Sequence, residues 1–361
     1  MRVQVFKHQK LYFYILVILV IGFFSINVKA SEPFSLHVLN VGQGQAILVE
    51  ADGHYSLIDG GPRASSSYVV SYLKQQGVEK LDYLIASHYD EDHISGLIGA
   101  LHVFSVDTIL CPDYSSDTQI YESFIDVAEV SGAAMIHPYA GEEYISGDMD
   151  LLIVGPDNYE SDTENNRSIA VKLSYGDVSI MVGGDAESKA EETMISSGHD
   201  LDADIYLANH HGSDTSSTDN FLNAVTPVYT IISCGKGNAY GHPTEAALVR
   251  IQNAGSFLYR TDIQGEIIMY SNGQEYWFNQ EPCDDWNSGD ADSGAEGSVL
   301  TAVPETEEKE LSYIGNKNTY KFHYPECKSV SQMKDKNKVY LSGTRDEVIS
   351  MGYEPCQNCN P

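Results

Sequence analysis

The run Ser87–Gly96, SHYDEDHISG, holds two imidazoles and three carboxylates between His88 and His93. Imidazole nitrogens mixed with carboxylate oxygens are ligands for zinc, manganese or iron. Grouped carboxylates repel one another unless a cation neutralises them, so packing alone does not account for His-x-Asp-x-Asp-His behind a buried strand. The competing reading of so short a motif is a solvated acidic loop. Residues of the same chemistry recur further on, as Gly184-Asp185, as His210-His211 followed by Gly212-Ser213, and as Gly241-His242-Pro243.

These residues need elements to carry them. Leu81–Ala86 reads as a strand running into His88, and Gly96 opens an apolar, helix-like run. Phe34–Val41, Ala46–Glu50, Ser56–Ile58, Leu151–Val154, Ile169–Tyr175, Val178–Val182, Asp204–Ala208 and Val228–Ser233 are rich in β-branched and aliphatic residues and read as strands. Ser67–Gln76, Ile120–Val130, Glu187–Ser197 and Thr244–Asn253 read as helices, each ending at or near a glycine, with Pro243 expected in the first turn of the last. Asp59, His88–His93, Asp185, His210–His211 and His242 therefore all fall just past strand ends, the edge where ligands gather in layered α/β folds. Val41-Gly42-Gln43-Gly44-Gln45 is half of a dinucleotide fingerprint. It lacks the third glycine and leads into a strand, which excludes a dinucleotide-binding reading.

His88-x-Asp90-x-Asp92-His93, Gly184-Asp185 and the late histidines resemble the metallo-β-lactamase fold family. Within it, Asn40–Gln45, Leu57–Gly61, His210–Ser213 and Tyr240–Pro243 are similar to the hydrolase domain of the ComEC competence family. The resemblance covers residues 33–280 and implies an αββα sandwich with one or two divalent metals (manganese, magnesium or zinc) at one edge. It implies Asp185 as the carboxylate bridging two ions, His88 and Asp90 on the first, and Asp92 and His93 on the second. His242 is the expected last ligand, with His210 and His211 as competitors. The chain departs from the family pattern at three places. Asp90 stands where many relatives have His, Gln45 where the ComEC-like pattern has Asp, and Asn165-Asn166 where many members carry a further His. An oxygen-richer set favours manganese or magnesium. Such a site supports hydrolysis, with Asp92 orienting or deprotonating the water. His211, Ser213, Lys236 and Asn166 are candidates for substrate contact, against the alternative of ordinary loop hydrogen bonding.

The 361 residues are 42% hydrophobic, enough for a large core, and the net charge of −31 argues against a broad basic DNA-binding face. Arg2, Lys7 and Lys10 precede the apolar run Leu11–Phe24, and Val28-Lys29-Ala30 offers a cleavage site. Residues 1–30 read as a secretion signal, the alternative being an uncleaved membrane anchor over residues 11–26. Both place the rest of the chain outside the cytoplasm. Residues 281–308 carry nine acidic residues and no Lys or Arg, and read as a disordered tether. Residues 309–361 carry eight basic against six acidic residues, with His323-x₃-Cys327 and Cys356-x₂-Cys359. That is tetrahedral zinc spacing, in a segment too short to build much core, and it resembles the zinc module of the Ada DNA-repair family. The alternative for these cysteines is a disulfide.

The expected fold is therefore α/β, an αββα metallo-β-lactamase sandwich followed by an acidic linker and a small zinc-binding module. The expected function is a secreted metal-dependent nuclease or phosphodiesterase acting on DNA. The alternatives are a hydrolase of a small ester, lactone, lactam or thioester, and a non-catalytic nucleic-acid-binding protein.

Overall fold

The computed structural model describes residues 33–289, apart from 162, and most of 312–359. The expected secretion signal at 1–30 and the expected tether beyond 289 lie outside the described residues. The chain divides into two units between Ala291 and Asp292.

In the first unit, β1 (Phe34–Val38), β2 (Ala46–Ala51) and β3 (His54–Gly60) form an antiparallel meander. Helices and strands then alternate: α1 (Ser66–Gln75), β4 (Lys80–Ile85), α2 (Glu91–Leu101), β5 (Ser105–Leu110), α3 (Gln119–Ser131) and β6 (Ala134–Ile136). Strands β3 to β6 pair in parallel. The plan repeats in the second half. β7 (Glu143–Ser146), β8 (Met149–Gly155), β9 (Ala170–Tyr175) and β10 (Val178–Val182) are antiparallel. They are followed by α4 (Ser188–Ser197), β11 (Ile205–Leu207), α5 (Asp219–Val225), β12 (Tyr229–Ile232), α6 (Glu245–Asn253) and β13 (Phe257–Arg260), with β10 to β13 parallel. β14 (Ile267–Ser271) and β15 (Tyr276–Phe278) return to the first sheet beside β1. The result is an 8-stranded and a 7-stranded sheet.

Strands covered on both faces read as near-continuous aliphatic runs. Val38, Ile47, Ile58, Leu151, Leu173 and Ile205 fill the space between the sheets. Leu73, Leu97 and Phe124 from α1, α2 and α3 cover the outside of one sheet, and Met194, Leu222 and Leu248 from α4, α5 and α6 cover the other. This is the expected αββα layering. Each such side chain contributes roughly 1.5–3 kcal/mol by leaving water.

Three local expectations change. Pro243 precedes helix α6 rather than opening its first turn: Thr244 is the cap, and its hydroxyl accepts from the Ala247 N–H at 3.3 Å. Residues 281–289, expected to belong to the tether, lie on the first unit. The Cys283 N–H donates to Leu258 O at 2.6 Å, the buried Arg260 guanidinium donates to Asn287 O, and the Gly289 N–H reaches Pro243 O at 2.8 Å. Strands β5, β6, β7 and β13 to β15 were not legible as strands, being short or broken by polar residues such as Asp107.

The second unit contains β16 (Ser312–Asn316), β17 (Lys321–His323), β18 (Lys338–Ser342) and β19 (Glu354–Pro355), in the order β18-β16-β17-β19. Its apolar clusters are small: Tyr313, Phe322 and Val348 in one, Ile314, Cys327, Val330 and Cys356 in the other.

Candidate metal centre

The parallel strands carry their chemistry to one edge. Asp59 lies at the end of β3, His88 just after β4, Asp185 after β10 and His210-His211 after β11. Helix α2 begins within the motif. Glu91 and Asp92 occupy its first turn, where the helix dipole favours negative charge, and Asp90 precedes it. The Asp90 side chain does not cap the helix; its Oδ2 lies 3.5 Å from His88 Nε2. Gly96 lets α2 rest directly on β3, since a Cβ there would come 1.8 Å from Gly60 O. That close approach seats His93 on Asp59.

Asp59 is fully buried. Its Oδ2 accepts from Gln45 Nε2 at 3.0 Å and Ser87 Oγ at 2.8 Å, and its Oδ1 from the Ser87 N–H at 2.8 Å. His93 Nδ1 lies 2.8 Å from the same Oδ2, so the carboxylate fixes the ring and aims Nε2 into the site. The departure at Gln45 now has a physical role, because an amide can donate where a second carboxylate would repel Asp59. His211 is held in the same way by a backbone oxygen, with Nδ1 2.8 Å from Ser233 O.

Asp185 sits at the centre. Its Oδ1 lies 3.2 Å from His93 Nε2 and 3.5 Å from His211 Nε2; its Oδ2 lies 3.8 Å from His88 Nε2 and 3.7 Å from His210 Nε2. Two candidate ligand groups result, His88–His93–Asp185 and Asp92–His93–His211, each with donor atoms within 4.8 Å of one another. Burial alone would raise the Asp185 carboxyl, but His93 and His211 outweigh it and hold the pKa well below the usual carboxylate range. Burial likewise opposes charge on His93, yet Asp185 and Asp59 hold its pKa well above the ordinary value. Carboxylates so placed call for positive charge. His88 Nε2 and Asp185 Oδ1 are buried without a hydrogen bond, as expected of atoms whose lone pairs belong to a metal. The donor set fits one or two divalent ions.

The expected ligands are rearranged in two respects. His93 belongs to both groups, and the Asp90 side chain, half exposed, lies outside both groups beside His88. His242, expected as the last ligand, lies outside both groups, and His211 joins Asp92 and His93 instead. The reason is a backbone turn: His210 and His211 have φ of 51° and 55°, a left-handed pair that swings both rings onto the site. Such conformations cost of order 1–3 kcal/mol each and need support. The fully buried Glu191 supplies it, accepting from Ser217 N–H at 2.6 Å, Asn209 Nδ2 at 2.9 Å and Thr218 N–H at 2.9 Å. His242 packs against His210 with ring centroids 5.5 Å apart, and its Nδ1 lies 3.5 Å from Gln43 Nε2. Burial and the neighbouring histidines push its pKa down to about 4, so the ring stays neutral.

The expected substrate contacts divide. Asp92 borders the site, with Oδ2 3.5 Å from His211 Nε2. Ser213 Oγ is taken up by its own loop, 3.0 Å from Thr215 Oγ1 and accepting the Thr215 N–H. Lys236 is exposed and lines a cleft with Arg260 and Asp262 whose lining includes none of the ligand-group residues. The Asn166 amide is held by Thr163 and Glu187 at 2.8 and 3.2 Å. Sequence reasoning gave Asp59 no role beyond its place on the strand-end edge, and did not assign Ser87 and Glu191 to the site. Asp59 had a signal, a carboxylate at a strand end just as Asp185 is; Glu191 had none, being one acid among several on a helix.

In the second unit, donors from His323, Cys327, Cys356 and Cys359 lie within 4.8 Å of one another. Among the described residues no disulfide joins these cysteines, and His323 Nδ1 is buried without a hydrogen bond. Three sulfurs and one nitrogen in a closed set suit tetrahedral zinc.

Residues 39–236 match the metallo-β-lactamase superfamily. The chain is 31% identical over 257 residues to "Competence protein ComA" of Neisseria gonorrhoeae, covering 70% of this chain and 34% of that protein. It is 26% identical over 255 residues to "ComE operon protein 3" of Bacillus subtilis, covering 66% and 33%. The chain thus spans about a third of the length of these relatives. Among solved structures it is similar to the metallo-β-lactamase fold protein YhfI from Bacillus subtilis, with 14% identity, a TM-score of 0.44, and coverage of 68% of this chain and 100% of that one.

Proposed function

We propose, from the premise that this chain belongs to the metallo-β-lactamase superfamily and is by fold and donor set a metal-dependent hydrolase, that it is a secreted nuclease or phosphodiesterase acting on DNA. The observation that carries this reading is the pair of ligand groups sharing His93, with Asp185 within reach of both and carboxylate oxygen in each. Relatives named for competence support DNA as the material handled. Metal bound at this edge would lower the pKa of a water and offset the charge of a phosphodiester. Asp92, partly exposed beside His211, would orient the water or take its proton. Asp59 and the Ser233 carbonyl hold the His93 and His211 rings, and Asn166 is a candidate for substrate contact through the cavity it lines. In the second unit, zinc held by His323, Cys327, Cys356 and Cys359 would organise a module that anchors nucleic acid. Residues 1–30 would direct export. Among the described residues no helix is long and apolar enough to cross a membrane.

One observation favours a second reading. A net charge of −31 repels a polyanion and suits a small ester, lactone, lactam or thioester better. The deciding experiment is an assay of residues 31–361 on DNA, RNA and small esters, loaded in turn with manganese, magnesium and zinc. Cleavage of DNA is expected. A metal-loaded protein that opens a lactone or thioester and leaves every nucleic acid intact would replace the first reading with the second.

A further inference from the structure

The geometry points to a nucleobase subsite beside the metal edge, an assignment that rests on the DNA reading above. A cavity of about 280 Å³ opens between the segment after β8, the Asn166–Ser168 turn and helix α4. Ligand pockets run from roughly 300 to 1,000 Å³, so this one is sized for a single small group. Its floor is Pro156, Met194 and Ser168, the last two only 2% exposed. Ser161 Oγ and Ser168 Oγ both belong to the lining, and both are buried with no hydrogen-bond partner. A buried hydroxyl left unpaired is unfavourable. Two of them around one cavity are what a polar ligand would satisfy.

The cavity is joined to the metal edge by direct contacts. Asn166 Nδ2 donates to Glu187 Oε2 at 3.2 Å, and Glu187 Oε1 lies 3.8 Å from His210 Nδ1. Ser168 backs on the residue before Asp185: a Cβ on Gly184 would meet the Ser168 Cβ at 3.3 Å. The proposal places the base next to a phosphodiester held at Asp185 in this adjoining cavity.

The lining selects an uncharged heterocycle. Asp157 and Glu160 stand at the exposed side and disfavour a second phosphate, with Lys189 the one basic residue in the lining. Pro156 and the Met194 thioether offer apolar surface to a flat ring. Serine hydroxyls donate or accept equally, so they match the edge of any base and select none. The subsite therefore binds a base without strong sequence preference.

The test uses the full chain loaded with magnesium, with the four deoxynucleosides as calorimetric probes and a short DNA oligonucleotide as substrate. Thr193→Trp, at an exposed position of α4 on the cavity rim, should abolish deoxynucleoside binding and raise KM for the oligonucleotide about tenfold. Ser161→Ala with Ser168→Ala should weaken deoxynucleoside binding roughly three- to tenfold. The same double change should leave Tm unchanged or raised, because neither hydroxyl has a protein partner to orphan. Deoxynucleosides that fail to bind, or a Thr193→Trp protein with unchanged KM on DNA, would overturn the subsite while leaving the nuclease reading intact. Deoxynucleosides that bind and are lost in Thr193→Trp, in a protein that cuts no nucleic acid, would keep the subsite and remove the nuclease reading.

Discussion

The two metal-binding regions solve opposite problems. In the second unit the four donors come from one short stretch, His323 to Cys359, and close on themselves with three sulfurs and a nitrogen. In the first unit the donors come from three strand ends, after β4, β10 and β11, and include the carboxylates Asp92 and Asp185. The small unit has little apolar core among its described residues, so a metal there would supply much of its folding energy. The large unit has cores between and outside two sheets, built from residues other than those at its edge. That difference in donors and support decides which site could do chemistry. A closed sulfur-rich set is a staple, whereas a carboxylate-rich edge on a prebuilt scaffold can leave positions for water and substrate.

The comparison is tested hardest by Asp185→Ala. Activity should fall about a thousandfold or more, since losing even an outer partner of a ligand costs roughly 10–100-fold. Zinc content per chain at the cysteine site should not change. If metal analysis showed both regions emptied, the two sites would not be independent.

Chelation should separate the regions by stability. Structural zinc in small modules contributes roughly 10–16 kcal/mol of apparent binding energy. A strong chelator should therefore unfold residues 312–359, seen as rapid hydrogen exchange there, while strands β2, β9 and β10 stay protected. Equal loss of protection in both units would break the distinction drawn above.

Asp59→Asn probes how the large unit holds its donors. The amide keeps the volume but places a donor against Gln45 Nε2 or His93 Nδ1. Metal affinity and turnover should each drop roughly 10–100-fold, with the fold retained. Unchanged metal affinity by competition with a chromophoric chelator would show that Asp59 does not orient His93.

The smallest effect concerns acid stability of the large unit after metal removal. Burial pushes His37 down to about 4, with its ring 2.8 Å from Tyr72 Oη and Ser35 Oγ. The unfolded chain protonates this histidine near its ordinary pKa of about 6.5, and the folded chain resists down to about 4. Stability should then be constant above pH 6.5 from this group and decline as pH falls toward 4, by of order 1–3 kcal/mol. His37→Gln should flatten that decline in urea melts at pH 7 and 4.5. An identical decline in the variant would assign the acid sensitivity elsewhere.

Local chemistry made much of this protein legible from its residues alone. The strand before His88, the apolar helical run around Gly96, the terminal glycines of α1, α3, α4 and α6, and the Cys-x₂-Cys pair are each set by neighbours a few positions away. The family resemblance followed from those same short motifs, and with it the αββα layering and the edge on which the ligands lie. Where that edge closes was another matter. His210, His211 and His242 are chemically equivalent in a sequence, and each follows a strand. Bringing the His211 ring to Asp92 and His93 required a left-handed turn held by Glu191 from another helix and a carbonyl at Ser233 from another strand. Asp59 became a ligand-orienting group only because Gly96 lets α2 meet β3. The paired hydroxyls of Ser161 and Ser168 acquired meaning only when packing left both without a partner around one cavity. Residue identity and short-range spacing determine which atoms are able to bind metal. Which of them converge is decided by contacts between segments far apart in the chain, and no local pattern encodes those distances.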